Sequence, residues 1–101
     1  MTFEELEVMV QHWSRSRGIT YNSTPQAQFI KAVSEMGELA DGIAKNDYVL
    51  TMDSIGDVLV CLINIADMKK MTLTDCLMYA FDEIKDRKGF MNAQGVFVKE
   101  E

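Results

Sequence analysis

Apolar residues recur at helical spacing along most of the chain, and the pattern predicts four helices separated by short polar breaks. The first runs from about Phe3 to Arg17, with Phe3, Leu6, Met9, Val10 and Trp13 as its apolar stripe. Thr2 and Glu5 have the spacing of a capping box, and Gly18 is the expected stop before the polar connection "ITYNST". The second helix begins at Thr24-Pro25, a capping residue followed by proline at the first helical position, and ends near Lys45–Asp47. Its Phe29, Val33, Met36, Ala40 and Ile43 repeat at 4-3-4-3 spacing, a seam expected to pack closely on other helices.

The third helix spans about Tyr48 to Lys69. Met52, Ile55, Leu59, Leu62 and Ala66 form one stripe, while Val58, Val60, Cys61, Ile63 and Ile65 cover most of the remaining surface. A helix apolar on nearly all sides is expected at the centre of the fold. The fourth starts at Thr72 or Thr74 and reaches about Lys88, with Leu77, Met78, Phe81 and Ile84 inward and Gly89 as the stop. The tail "FMNAQGVFVKEE" reads as a strand, a hairpin or a docked extended arm. The expected class is all-α, an antiparallel bundle in one domain over residues 1–101.

Two segments break the apolar pattern: "SEMGEL" at 34–39 and "DSIGDVL" at 53–59. Glu35 and Glu38 stand about 60° apart on the second helix, and Lys31 and Gln28 share their face. Asp53 and Asp57 stand about 40° apart on the third, with Ser54 beside them and Asn64 two turns beyond Asp57. Facing strips of this kind gather carboxylates whose repulsion rises as water leaves, and a hard divalent cation removes that repulsion. An oxygen-only donor set suits Mg²⁺ or Mn²⁺, and Mg²⁺ commonly completes its shell with water and substrate phosphates. An E-x-x-E pair is equally the pattern of a solvated helix face. Asp57 and Asn64 argue for a site, because their helix has little solvated face to spare. Gly37 and Gly56, each just before a key acid, are expected where the two helices approach closely.

Composition narrows the partners. With 16 acids against 10 bases the net charge is −6, which disfavours binding to a nucleic acid polymer. A chain of 101 residues buries only part of its surface alone, so association with further copies is expected. Cys61 and Cys76 lack metal or redox spacing and read as buried free thiols of a reducing compartment. The N-terminus lacks the pattern of a signal peptide, and no run reaches about 18 consecutive apolar residues. The expected location is cytoplasmic, away from membranes. His12 reads as a surface or packing residue, the eight methionines as packing at helical core spacing, and Trp13 as core in preference to a stacking platform.

With "EMGEL" at 35–39 followed by "DSIGDVL" at 53–59, the chain resembles the MazG-like all-α nucleoside triphosphate pyrophosphohydrolases. Their pattern is E-x-x-E on one helix and E-x-x-D on the next. The likeness extends to "EIKDRKG" at 83–89 and "GVFVKE" at 95–100, with a weaker echo at "HWSRSRGI". It implies an oligomeric helical bundle, dimer or tetramer, that holds Mg²⁺ on four acids. The implied reaction cleaves a nucleoside triphosphate between its α- and β-phosphates, giving a monophosphate and pyrophosphate. By position, Glu35, Glu38 and Asp57 match the family's acids, and the resemblance makes them the catalytic metal-holding group. Ser54 occupies the remaining glutamate's position, and Asp53, one residue earlier, is the expected substitute. Arg87 is the implied phosphate contact, with Lys85 and Lys88 behind it. Lys31, Gln28 and Asn64 are candidate substrate contacts because they share the faces of the acids, and for Lys31 and Gln28 a solvated face is an equal reading.

Two other functions compete. A non-catalytic helical module, having lost turnover through Ser54, would bind a nucleotide or partner without cleaving it. A di-iron carboxylate bundle needs E-x-x-H pairs, which a chain with one histidine does not supply.

Overall fold

The computed structural model describes residues 1–100. It contains helices α1 (Phe3–Ser16), α2 (Ile19–Asn22), α3 (Pro25–Ala44), α4 (Tyr48–Met68) and α5 (Leu73–Ile84). Two strands follow, β1 (Gly89–Met91) and β2 (Phe97–Lys99). The four long helices stand where the apolar spacing puts them. The fifth, α2, is a single turn inside "ITYNST", entered through Gly18 at φ +78°, a left-handed conformation that glycine adopts without strain.

Side-chain caps set the helix starts. Thr2 Oγ1 accepts from Glu5 N at 3.1 Å and the Glu5 carboxylate accepts from Thr2 N at 3.3 Å, completing the capping box. Thr24, Asp47 and Thr72 cap α3, α4 and α5 in the same way, each accepting from a backbone N–H three residues on.

Helices α3 and α4 form the closest pair, an antiparallel hairpin joined by Lys45–Asn46–Asp47 with Asn46 at φ +52°. The tight approach lies beside this turn: a Cβ at Gly42 would stand 2.9 Å from Thr51 Oγ1 and 3.0 Å from Thr51 N. The close contact expected at Gly37 and Gly56 is absent, since a Cβ at either would meet no atom within 4 Å. Helix α4 is central as expected, touching α1, α2, α3 and α5. It is also long and apolar enough, by length and composition, to cross a membrane, with a mean hydropathy of 1.7 over 18 residues. Asp53, Ser54, Asp57 and Asn64 interrupt that apolar surface.

Burial corrects several sequence expectations. Helix α1 turns Glu7, Gln11 and Ser14 inward, while Phe3, Leu6, Met9 and Trp13 are half exposed. Polar partners on α4 and α5 satisfy Ser14 and Glu7, so hydrogen bonding outweighs the apolar stripe there. The α3 seam faces outward in the single chain, with Phe29, Val33, Met36 and Ile43 all more than half exposed. The α5 stripe is likewise exposed at Leu77, Met78, Phe81 and Ile84, and seven of the eight methionines are exposed too. Among the described residues the buried apolar side chains are Ala32, Cys61, Ile63 and Ala66. Cys76 is only half-buried, and both cysteines are free thiols.

Helix α5 stops at Ile84, a turn earlier than its sequence suggests, so Arg87 and Lys88 lie beyond it. The tail takes the hairpin form, pairing Gly89 with Lys99, Phe90 with Val98 and Met91 with Phe97. Asn92 Oδ1 accepts from Gln94 N and Val96 N, both at 3.0 Å, and Gly95 supplies the left-handed turn residue at φ +79°. Among the described residues the hairpin packs on none of the helices.

Candidate functional site

The α3–α4 hairpin brings Glu35, Glu38 and Asp57 together. One carboxylate oxygen from each lies within 4.8 Å of the others, although nearly twenty residues separate the two helical motifs. Three carboxylate oxygens gathered in this way form an oxygen-only donor set of the kind a hard divalent cation accepts. The Glu35 side chain is only 14% exposed, and its Oε2 is buried without a hydrogen-bond partner. A buried carboxylate oxygen without a donor is a costly arrangement that a cation relieves. Glu35 Oε1 faces Lys31 Nζ at 3.7 Å.

Electrostatics agree with the geometry. Loss of water pushes the Asp57 carboxyl above its usual range, and the charges of Asp53 and Glu35 push it further. Asp53 thus acts on Asp57 at a distance and stands outside the three-residue group; it is exposed and faces neighbouring clefts. Ser54 does not share the acids' polar strip. It is 1% exposed, with its Oγ buried and unpartnered.

From Glu35 and Asp57 a cleft of about 690 Å³ extends between α1, α2, α3 and α4, with Glu38 just outside its lining. Of the sequence-derived residues, Glu35, Asp57, Lys31, Gln28 and Asn64 line it. Arg87, Lys85 and Lys88 do not, and Lys85 instead pairs with Asp82 at 3.3 Å. Because α5 packs on α1 and α4 and stops at Ile84, these three cations fall outside the cleft of their own chain.

Gln28 and Asn64, expected on the polar faces, belong to a buried relay. Ser14 Oγ donates to Asn64 Oδ1 at 2.6 Å, Asn64 Nδ2 donates to Gln28 Oε1 at 3.0 Å, and Gln28 Nε2 donates to Ser23 Oγ at 3.1 Å. The relay ties α1, α4 and α3 to the α2–α3 junction. Below the acids, burial pushes the Cys61 thiol up, which keeps it protonated and unsuited to nucleophilic attack.

Sequence reasoning missed Arg17, Asn22 and Ser23 as cleft residues and Ser14 as the relay's origin. The Arg17 guanidinium lies 5.1 Å from the Trp13 ring centroid, a cation–π contact on the cleft wall. The echo "HWSRSRGI" was the signal pointing to this wall. Ser14 and Asn64 are fifty positions apart, and no local pattern joins them.

No family model and no solved structure matches the chain. One relative does: an uncharacterised 18.2 kDa protein from the rep-hol intergenic region of Haemophilus phage HP1 (strain HP1c1), 41% identical over 63 residues. The alignment takes in 62% of this chain and spans about two fifths of the relative, 39% of its length.

Proposed function

We propose that the protein is a Mg²⁺-dependent nucleotide pyrophosphohydrolase that cleaves (d)NTP to (d)NMP and pyrophosphate, as its resemblance to MazG-like enzymes implies. The observation that carries this reading is the convergence of Glu35, Glu38 and Asp57 at the mouth of a nucleotide-sized cleft. Glu35, Glu38 and Asp57 would hold Mg²⁺, with Mn²⁺ as the alternative ion. When bound, the ion neutralises triphosphate charge and activates water for attack on phosphorus.

The chain's own groups account for the rest. Glu38 is the exposed member of the three and is placed to orient the attacking water and take its proton. Lys31, on the cleft wall beside Glu35, faces the phosphates and balances their charge as pyrophosphate leaves. The buried relay fixes the helices that carry the acids, so their geometry needs little reorganisation on binding. The exposed apolar faces of α3 and α5 support a homo-oligomer, dimer or tetramer, that covers them. Its substrate is a soluble nucleotide of the cytoplasm.

Purified protein incubated with each NTP and dNTP plus Mg²⁺ should release pyrophosphate and monophosphate from at least one. No release from any nucleotide by folded, metal-loaded protein would sink the enzymatic reading. Ser54, a hydroxyl where the family carries a glutamate, favours a second reading: a module that binds nucleotide without turnover. Nucleotide binding without pyrophosphate release would support it.

A further inference from the structure

We propose that the cleft recognises a keto nucleobase (uracil, thymine or guanine) through N–H groups of Asn64 and Gln28, against a wall formed by Trp13 and Arg17. The inference rests on the nucleotide reading above and adds which bases the cleft accepts.

Position comes first. Gln28 lies seven residues before Glu35 on α3, and Asn64 lies seven residues after Asp57 on α4. On antiparallel helices these offsets run in the same direction, so both amides sit about 10 Å along the bundle from the acids. That separation is close to the reach from the phosphates of a nucleotide to the edge of its base. Both amides line the same cleft as the acids, and so do Trp13 and Arg17. An indole and a guanidinium plane in contact form a stacking wall.

Hydrogen-bond accounting then selects the base. Asn64 is 3% exposed and Gln28 is 8% exposed, so water has little access to either amide. Each amide oxygen already has a donor, Ser14 for Asn64 and Asn64 for Gln28. Each amide nitrogen carries two hydrogens and spends one, on Gln28 Oε1 and on Ser23 Oγ respectively. One N–H per amide remains for a ligand. A buried N–H is costly to leave unpaired, whereas the second lone pair of a carbonyl often goes unused. The relay therefore demands acceptors. At the exocyclic position farthest from the sugar, uracil and thymine carry O4 and guanine O6, a carbonyl oxygen that can accept from both amides, whereas cytosine and adenine carry an amino group there and meet these donors with a donor.

Trp13 is the only tryptophan, so its fluorescence reports occupation of the wall directly. Wild-type protein with Mg²⁺ would be titrated with dUMP, dTMP, dGMP, dCMP and dAMP. The keto nucleotides should quench Trp13 and bind about ten-fold or more tighter than dCMP and dAMP, the scale of one unsatisfied buried hydrogen bond. Gln28→Met keeps side-chain length but removes the donor, and calorimetry should show the discrimination shrinking while the circular dichroism spectrum is retained. Equal affinity for all five nucleotides, preference for dCMP or dAMP, or no response of Trp13 would overturn the proposal. Base preference without pyrophosphate release supports it and removes the catalytic reading. Pyrophosphate release with no base preference does the reverse.

Discussion

Glu7 on α1 holds Thr74 at the start of α5 twice, taking its hydroxyl at 2.7 Å and its backbone N–H at 3.1 Å. The other carboxylate oxygen accepts from Leu73 N, so one buried acid satisfies two first-turn amides that a helix start leaves open. Few other contacts fasten α5 to the fold. Glu7→Ala should destabilise the protein by about 1–3 kcal/mol, read from urea unfolding, because those donors lose their acceptor away from water. An unchanged midpoint would show that α5 is anchored elsewhere.

The acid site makes a graded prediction. Glu35→Gln, Glu38→Gln and Asp57→Asn should each lower pyrophosphate release on the order of 100-fold, as removal of one electrostatic stabiliser does. Asp53→Asn should lower it far less, because Asp53 stands outside the three converging oxygens. A loss from Asp53→Asn as large as from Asp57→Asn would make Asp53 a direct metal ligand, the role its sequence position first implied.

Metal-free protein should show an unusual pH dependence. The folded state raises the Asp57 pKa through desolvation, then through the charges of Asp53 and Glu35. The contribution of this group to stability is therefore present at low pH and lost as pH rises through the raised value. In EDTA the Tm should fall across the region just above the ordinary carboxylate range. Mg²⁺ should restore it, since the ion favours the ionised form. Asp57→Asn should remove both the pH-dependent fall and the Mg²⁺ response.

Glycine substitutions separate the sites of close packing. Gly42→Ala should destabilise, because its Cβ would press on the Thr51 backbone. Gly37→Ala and Gly56→Ala face open space and should stabilise by up to about 1 kcal/mol through helix propensity. Thermal melts of the three variants check both signs.

The four long helices, the Thr2 and Thr24 caps and the pairing of Glu35 with Glu38 were legible in the sequence because each depends on local spacing. Asp57 joined the group through the expectation that the two polar strips face each other. Thr24-Pro25 started α3 where a cap and proline allow, and i, i+3 geometry placed the paired glutamates on one side. What stayed hidden depends on distant partners. Glu7 reads as one more acid in "FEELEV" until Leu73 and Thr74 arrive beside it. The polar inward face of α1 was masked by a stronger apolar stripe that the single chain leaves half exposed. Arg87 illustrates a different limit: sequence order placed it at a helix end, but not in any particular cleft.

The contact between Gly42 and Thr51 turns the α3–α4 hairpin into a ruler. With the two helices pinned beside their shared turn, residue count from that pivot sets how far along, and at what rotation, every side chain meets its counterpart. Glu38 is counted back from the pivot and Asp57 is counted forward. One inserted residue between Thr51 and Asp57 would turn Asp57 by about 100° and shift it by about 1.5 Å. Asn64 would rotate with it, so a single change of length would undo the acid group and the amide relay together. Length in this segment is thus as binding a constraint as residue identity.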